Sequence, residues 1–309
     1  MKSRLSEHLL WDLNIPEAQI LLSEGSEDML KQAVHCYLGP GERVLCPDQS
    51  WWYYRSVASE VAGETVTYQL RKDGSSYRYD VEELMSLYQK HSPRVVLIAS
   101  PNNPTGNSFL DEDLTRLTEA FRESIVILDE AYWGFKEHAR ERIGELVGRY
   151  RNLLILRTFS KFYALAGARI GYAAAGSSLT RLTKFASRYL GYNRISEELA
   201  LAALGARNYY ESINNHICQD RKQYYDFFDG FNGVTCFRSD ANFVLVQFPL
   251  HLKQPLADHL RSQSIAVKFF DESGFEDCMR ITLGTTQQNN MLRSSLASFL
   301  STHAMEHHP

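Results

Sequence analysis

The chain has 309 residues, with 33 basic and 37 acidic side chains, a formal net charge of −4 and 44 % hydrophobic residues. This length allows one large or two modest domains with a substantial core, and the mild acidity disfavours nucleic acid or an anionic membrane surface as the principal partner. The sequence contains no apolar run near the roughly 18 residues of a membrane span, no signal-peptide pattern and five cysteines without CxxC spacing, so we expect free thiols and a cytoplasmic protein.

Short apolar runs alternate with helical patterns in the first part of the chain. Several runs lack polar alternation, as is typical of strands buried on both faces of a sheet. Between them, helices are predicted at Asp28–Tyr37, at Val81–Gln89 after the N-cap residue Asp80, and at Leu114–Arg122. The alternation predicts an α/β domain with a mostly parallel sheet. The predicted strands are Gln19–Leu22, Arg43–Cys46, Thr65–Leu70, Arg94–Ala99, Ile125–Leu128, Asn152–Arg157 and Ile170–Ala175.

The pattern changes after residue 195. The segment Glu197–Phe228 is mostly helical in character, and shorter strands and helices follow it. We therefore predict a large domain over residues 1–195, a long helical connection over 196–230 and a smaller α+β domain over 231–309. The predicted elements of the smaller domain are strands Val234–Phe237, Asn242–Gln247, Ile265–Phe269 and Met279–Leu283, and helices Pro255–Gln263 and Gln288–Leu300.

Polar segments follow several of the predicted strands. In open α/β sheets, ligands bind beyond the carboxyl ends of the strands, so these segments are expected to form the site. They are Ser23–Glu27, Pro47–Trp51, Ser100–Gly106, Asp129–Tyr132 and Thr158–Lys161.

The acidic end of strand Ile125–Leu128 has three interpretations. Asp129-Glu130 is similar to the metal-binding strand of a nucleotide hydrolase, but that activity needs a P-loop and the chain has no Gly-Lys dipeptide. Asp129 could instead cap the next helix, or it could pair with a buried cation of a cofactor. A dinucleotide fingerprint and a GxSxG nucleophile elbow are absent as well, and we expect no metal site.

Lys161 lies in an unusual sequence context for a lysine. It follows the apolar run Leu153–Leu156 and the hydroxyl residues Thr158 and Ser160, and Arg169 comes eight residues later. A lone lysine is most often a solvated surface charge. An ammonium among apolar neighbours loses solvation, however, so its pKa falls and the amine becomes a competent nucleophile. The hydroxyls and the guanidinium suit a bound phosphate.

The segments Thr158–Lys161 and Arg169–Tyr172 together resemble the lysine motif of fold-type-I pyridoxal-5′-phosphate (PLP) enzymes. Within that group they are most similar to class I/II aminotransferases of the histidinol-phosphate aminotransferase type. Ser100–Gly106, Asp129–Tyr132 and Met279–Thr282 resemble the other landmarks of the family, in the family's order. The resemblance covers essentially the whole chain. It implies a seven-stranded sheet, PLP as the cofactor, an amino donor and a 2-oxo acid as substrates, and a homodimer.

The resemblance also implies a role for each matching residue. Lys161 would hold PLP as a Schiff base and later move a proton at the substrate α carbon. Asp129 would pair with the pyridinium nitrogen, and Tyr132 would hydrogen-bond the phenolic oxygen. Arg280 would bind the substrate carboxylate, and Lys268, where such enzymes tend to carry arginine, would contact a substrate phosphate. The residues expected to bind PLP are Gly25, Ser26, Glu27, Trp51, Asn103, Asp129, Tyr132, Thr158, Ser160, Lys161 and Arg169.

Some features depart from the family pattern. Strand Gln19–Leu22 lies within the first 25 residues, so we expect the family's N-terminal arm, with its tyrosine for the partner subunit, to be absent. Gly191–Ser196 differs from the usual Pro-Tyr-Asn-Val-Asn, and we interpret Arg194 as a solvated charge. A PLP-dependent decarboxylase of the threonine-phosphate type, or a lyase or cyclase, would use the same residues and remains the alternative. A third possibility is a non-catalytic relative kept for binding.

Overall fold

A computed structural model describes residues 3–16, 19–188 and 191–303 of the chain. The strands are β1 (Ile20–Ser23), β2 (Arg43–Pro47), β3 (Glu64–Tyr68), β4 (Leu70–Asp73), β5 (Ser76–Tyr79), β6 (Val95–Ala99), β7 (Ile125–Asp129), β8 (Leu153–Thr158), β9 (Gly171–Ala175), β10 (Thr235–Phe237), β11 (Phe243–Gln247), β12 (Lys268–Phe269) and β13 (Cys278–Thr282). The helices are α1 (Arg4–Leu13), α2 (Ser26–Tyr37), α3 (Tyr53–Ser59), α4 (Val81–His91), α5 (Asp111–Ala120), α6 (Ile143–Arg149), α7 (Thr180–Phe185), α8 (Arg194–Gly205), α9 (Arg207–Asp229), α10 (Lys253–Ser262) and α11 (Thr286–Thr302).

The larger sheet has seven strands in the order β1-β9-β8-β7-β6-β2-β3. Only β9 runs antiparallel to its neighbours in this sheet; the other pairs are parallel. All seven strands predicted in the first part of the chain belong to this sheet, and the predicted α/β fold class is confirmed. The structure differs at Thr65–Leu70, where β3 ends at Tyr68 and Leu70 already belongs to the hairpin β4–β5.

Each face of this sheet carries its own hydrophobic core. Along β7, Val126 and Leu128 pack into one core, whereas Ile125 and Ile127 pack into the other. Because both faces are covered by helices, every position of β6 and β7 is buried. This arrangement explains why these strands contain no polar alternation.

The carboxyl ends of the central parallel strands lie side by side. Ala99 at the end of β6 is the register partner of Asp129 at the end of β7, and Asp129 pairs with Leu156 near the end of β8. The segments that follow these three strands therefore meet at one edge of the sheet.

A second, antiparallel sheet has the order β10-β11-β13-β12 and a separate core with α9, α10 and α11. Arg280 in β13 is the register partner of both Leu245 in β11 and Lys268 in β12. Direct cross-strand partners point to the same face of a sheet, so Lys268 and Arg280 share a face.

The helical segment predicted over Glu197–Phe228 is divided into two helices. α8 ends at Gly205 and α9 begins at Arg207, with Ala206 between them at φ −100° and ψ 29°. Glycine disfavours continuation of a helix because it has the greatest backbone freedom. The strand predicted at Ile265–Phe269 is also shorter, since only Lys268 and Phe269 pair with β13.

The helix α1 is absent from the elements predicted from the sequence. Ser3 caps it by accepting a hydrogen bond from the Ser6 N–H, and its apolar face packs in the core beside β1 and α8. Within the described residues, no helix combines the length and the apolar character needed to cross a membrane.

Candidate active site

A cavity of about 210 Å³ lies at the carboxyl ends of β6, β7 and β8. All the residues expected from the sequence to bind PLP line it, and so does Tyr54, for which the sequence predicted no role. The lining residues are Gly25, Ser26, Glu27, Trp51, Tyr54, Ala99, Pro101, Asn103, Asp129, Ala131, Tyr132, Thr158, Ser160, Lys161 and Arg169.

Lys161 reaches the cavity from the turn that follows β8. In that turn the Thr158 hydroxyl accepts a hydrogen bond from the Ser160 N–H at 3.1 Å and donates to Ser160 Oγ at 2.9 Å. Burial lowers the pKa of the Lys161 amine, and the positive charges of Arg280 and Arg169 lower it further, whereas Asp129 opposes them. The amine is therefore neutral, and nucleophilic, at a lower pH than a fully solvated lysine.

Asp129 is the last residue of β7 and is only 6 % exposed. Its Oδ1 accepts a hydrogen bond from the Ala131 N–H at 3.0 Å, and its Oδ2 accepts one from the Tyr54 hydroxyl at 2.8 Å. Burial raises the pKa of the Asp129 carboxyl, and the two donors and Lys161 oppose that shift. The next helix begins only at Ile143, so Asp129 is not its cap.

Tyr132 lies between the two sheets. Its ring is 5.0 Å from the ring of Phe243 in β11 and meets it edge-on, and the Lys161 amine is 5.4 Å from its centroid. Burial raises the pKa of the Tyr132 hydroxyl, and the positive charge of Arg280 opposes this. The phenol therefore stays protonated at neutral pH and is able to donate a hydrogen bond.

One end of the cavity is built to hold an anion. Helix α2 begins at Ser26, and no side chain caps its first amides. The Arg169 guanidinium donates to the Glu24 carbonyl at 3.0 Å and lies 3.5 Å from Ser160 Oγ. Gly25 has φ +91°, and a Cβ there would lie 2.8 Å from Arg169 Nη2. Free N–H groups at a helix N-terminus beside an arginine are a favourable phosphate site.

Trp51 forms an aromatic wall of the cavity. Four aromatic residues are consecutive at Trp51–Tyr54, so the sequence alone does not separate Trp51 from its neighbour. Trp52 is 62 % exposed and does not line the cavity. The loop that carries Trp51 is held by the fully buried Asn102, whose Nδ2 donates to the Gln49 carbonyl at 2.8 Å. The Oδ1 of Asn102 accepts from the Ser50 hydroxyl at 2.5 Å.

Arg280 reaches the site from the second sheet. Its Nη1 donates to Asn103 Oδ1 at 2.5 Å, and its guanidinium carbon lies 5.3 Å from the Phe243 ring centroid. Because the Asn103 oxygen is engaged by this donor, the amide nitrogen of Asn103 is the group left for other contacts. The Nε of Arg280 is buried and has no hydrogen-bond partner within the described residues.

Lys268 does not line the cavity. Its side chain is 52 % exposed, and its amine lies 3.9 Å from the Glu272 carboxylate. It lies beside Arg280 on the same face of the second sheet. Lys268 is therefore outside the cavity wall but adjacent to Arg280, which reaches the cavity.

These groups fit PLP. The cavity combines a lysine amine of lowered pKa, a buried carboxylate for a protonated ring nitrogen, a helix N-terminus with an arginine for the phosphate, and an indole for the ring face. On a mostly parallel seven-stranded sheet, this combination defines a fold-type-I PLP-dependent enzyme.

Comparison with known proteins identifies the family. The family model for aminotransferase class I and II matches residues 6–296, and the chain belongs to this family. Histidinol-phosphate aminotransferase of Ruminiclostridium cellulolyticum is 31 % identical over 287 residues, which cover 92 % of this chain and 78 % of the relative. The Bacillus subtilis enzyme of the same name is 31 % identical over 306 residues, covering 97 % and 81 %.

A solved structure agrees with this identification. Histidinol-phosphate aminotransferase from Sinorhizobium meliloti, in complex with PLP, superposes with a TM-score of 0.86 at 25 % identity and covers 97 % of this chain and 81 % of that chain. The protein is therefore a PLP-dependent aminotransferase, and its family uses an amino donor and a 2-oxo acid. The decarboxylase alternative has weaker support, because the two relatives described above are aminotransferases by name.

Proposed function

We propose that this aminotransferase moves an amino group from an amino-acid-derived phosphate, histidinol phosphate, to a 2-oxo acid. The observation that carries the proposal is the position of Arg280, which contacts Asn103 in the cavity wall and leaves guanidinium donors for an anionic substrate. The names of the relatives at 31 % identity support the choice of donor.

PLP supplies an electron sink for charge that develops at the substrate α carbon. Lys161 Nζ would hold the cofactor covalently at rest and, once released, would move a proton at the substrate carbon that bears the amino group. Asp129 would keep the ring nitrogen protonated, and Tyr132 and Asn103 would donate hydrogen bonds to the phenolic oxygen. The lowered pKa of Lys161 and the buried carboxylate of Asp129 support these roles.

The remaining cavity residues bind and orient the cofactor in this proposal. Trp51 would stack on the ring face, because its indole lines the cavity. The phosphate would be held by Ser160, Arg169, Thr158 and the backbone N–H groups of Gly25, Ser26 and Glu27. The uncapped start of α2 supports this assignment.

The two substrates occupy the same site in turn, so one cation has to accept two kinds of anion. Arg280 would bind the carboxylate of the 2-oxo acid and, in the other half of the cycle, the phosphate of the donor. Lys268, on the same face of the second sheet, would add a second positive charge toward that phosphate.

We also propose a homodimer in the cytoplasm with large and small domains divided at residues 1–195, 196–230 and 231–309. A two-fold dimer is the commonest assembly, and the exposed apolar side chains Trp11, Ile195 and Leu199 on α1 and α8 would suit an interface. All five cysteines are free and buried, which suits a reducing compartment. A monomeric mass by light scattering with PLP bound would contradict the dimer.

Absorption spectroscopy of the PLP-loaded enzyme tests the reaction. Histidinol phosphate should convert the cofactor band to that of pyridoxamine phosphate, a 2-oxo acid should restore it, and histidinol without the phosphate should react poorly. Release of ammonia from histidinol phosphate without an acceptor would instead indicate a lyase, and release of carbon dioxide from threonine phosphate would indicate a decarboxylase.

The Lys161→Ala variant tests the central assignment. It should bind PLP without the covalent band and lose turnover, whereas Lys184→Ala, which changes an exposed lysine on α7, should behave as wild type. Near-normal turnover in Lys161→Ala would refute the assignment.

A further inference from the structure

Tyr54 lies in the first turn of α3, three residues after Trp51. Trp51 lies just before the helix; its carbonyl accepts a hydrogen bond from the Tyr54 N–H at 3.2 Å, and the two rings meet edge-on with centroids 5.7 Å apart. Tyr54 is 3 % exposed and lines the cavity. The aromatic wall and a buried phenol thus reach the site from the same short segment.

The Tyr54 hydroxyl and the Ala131 N–H each donate to a different oxygen of Asp129. With one donor on each oxygen, the carboxylate is fixed in orientation and still has lone pairs for a further N–H donor. Burial and the neighbouring Asp129 raise the pKa of the Tyr54 hydroxyl well above its usual value. The phenol therefore stays protonated and acts as a hydrogen-bond donor to this carboxylate.

We propose that Tyr54 is a positioning residue that holds Asp129 ionised and aimed at the ring nitrogen of PLP. This inference rests on the proposed pairing of Asp129 with that nitrogen. Tyr54 acts through Asp129, so its effect is to decide where the shared proton resides, on the ring nitrogen or on the carboxylate.

The direction of the effect follows from the groups around Asp129. Burial favours the protonated carboxyl, and the Tyr54 hydroxyl, the Ala131 N–H and the Lys161 amine oppose burial. Removing the Tyr54 donor leaves a more basic carboxylate, which withdraws the proton from the ring nitrogen. Tyr79, a second buried phenol near this pair, donates to the Ala99 carbonyl and does not replace it.

Nuclear magnetic resonance of enzyme loaded with ring-¹⁵N-labelled PLP reads the proton position directly. In Tyr54→Phe, we expect the ¹⁵N shift at neutral pH to move from the wild-type value toward that of an unprotonated nitrogen, because losing one hydrogen bond to the carboxylate favours the form with the proton on Asp129 by about tenfold. Tyr68→Phe is the matched control, because Tyr68 is equally buried but donates to the Leu97 carbonyl. Its ¹⁵N shift should equal that of wild type.

Further variants separate the possible failures. Asp129→Asn should deprotonate the nitrogen at neutral pH; if it does not, the proposed pairing of Asp129 is wrong. If Asp129→Asn acts as expected and Tyr54→Phe keeps the wild-type ¹⁵N shift, the role of Tyr54 is refuted. Should Tyr54→Phe fail to fold, 3-fluorotyrosine at position 54 keeps the shape and strengthens the donor. The ¹⁵N shift should then stay at or beyond the wild-type value on the protonated side, and a move toward the unprotonated value would overturn the inference.

Discussion

At the scale of single residues, the active site holds ionisable groups away from their ordinary pKa values. Burial lowers the pKa of Lys161 and raises that of Asp129, and each is partly offset by the charge of the other. Such opposed shifts are typical of catalytic groups. The lowered pKa of Lys161 favours a neutral, nucleophilic amine, and the burial of both charges makes the site costly for the stability of the cofactor-free protein.

The Asp129→Asn variant should make the cofactor-free protein more stable at neutral pH. The pKa of Asp129 is higher in the folded protein than in the unfolded chain, so folding favours its protonated form. The stability that this group contributes is fully present below its unfolded pKa and is lost as pH rises through its folded pKa. An amide avoids the buried charge. Calorimetry should therefore show a higher Tm than wild type at neutral pH, with a difference that shrinks toward acidic pH.

The exposed Asp226→Asn variant on α9 controls for a general charge effect and should show no such pH trend. A lower Tm of Asp129→Asn at neutral pH would contradict the prediction, because it would mean that the two hydrogen bonds to the carboxylate outweigh its burial.

Arg280→Ala should raise the KM for amino donors and 2-oxo acids by the equivalent of about 2–5 kcal/mol, the cost of removing one partner of a desolvated charge pair. Arg280→Lys should recover little, because an ammonium cannot present two parallel donors. PLP affinity, measured by fluorescence, should change little in either variant. Arg261→Ala on α10 changes an exposed arginine and serves as the control.

An equal loss of PLP affinity and substrate affinity in Arg280→Ala would show that the arginine acts through Asn103 on the cofactor. In that case the hydrogen bond between Arg280 and Asn103, rather than substrate binding, would be its main contribution.

At the scale of secondary-structure elements, the site depends on where strands end and helices begin. β6, β7 and β8 run parallel and in register, so their following segments converge on one cavity. Helix α2 starts at the same edge with uncapped amides. The positive end of its dipole therefore faces the position proposed for the phosphate.

Gly25→Ala should weaken PLP binding by at least about tenfold and destabilise the protein by about 1–3 kcal/mol, the usual cost of a forced backbone conformation. The new Cβ would meet the Arg169 guanidinium at 2.8 Å and push it from the anion site. Gly41→Ala is the matched control: Gly41 has φ +75° but open space around it. It should lose stability without losing PLP affinity in a fluorescence titration.

Unchanged PLP affinity in Gly25→Ala, with the two variants equally destabilised, would show that the start of α2 and Arg169 do not form the phosphate site.

At the scale of the whole molecule, the two sheets contribute to one site. Arg280 comes from the second sheet and contacts Asn103 beyond the first, and the rings of Tyr132 and Phe243 meet across the same junction. Arg221 on α9 makes a further connection between the segments that follow the first sheet and those of the second sheet. It is 5 % exposed and donates to the carbonyls of Phe135 and Ala241.

Arg221→Met should lower the free energy of unfolding by about 1–3 kcal/mol, because two buried carbonyls lose their donor. Loosening this junction should also raise the KM for substrates more than it weakens PLP binding, since PLP is proposed to contact only residues near the first sheet. Urea unfolding and steady-state kinetics measure the two effects. Arg238→Met, which removes an exposed guanidinium next to Tyr225, is the control.

A Tm and a substrate KM both equal to wild type in Arg221→Met would show that the contact between the two sheets does not depend on this arginine.

The sequence by itself determined the sheet and the residues around the cavity. Strands such as Ile125–Asp129 are recognisable because a strand buried on both faces needs an uninterrupted apolar run. Lys161 is recognisable because it combines a buried strand before it, two neighbouring hydroxyls and a following arginine, a set that suits an amine nucleophile beside a phosphate. Each of these signals lies within one short segment, so it can be recognised from the sequence alone.

Tertiary structure alone decided which groups touch. The hydrogen bond from Tyr54 to Asp129 joins residues 75 positions apart, and that from Arg280 to Asn103 spans 177. Packing also decides that Trp51, rather than Trp52, lines the cavity. It likewise leaves Lys268 outside the cavity wall. Contacts between distant segments follow from how sheets and helices pack together, and no periodicity within either segment encodes them.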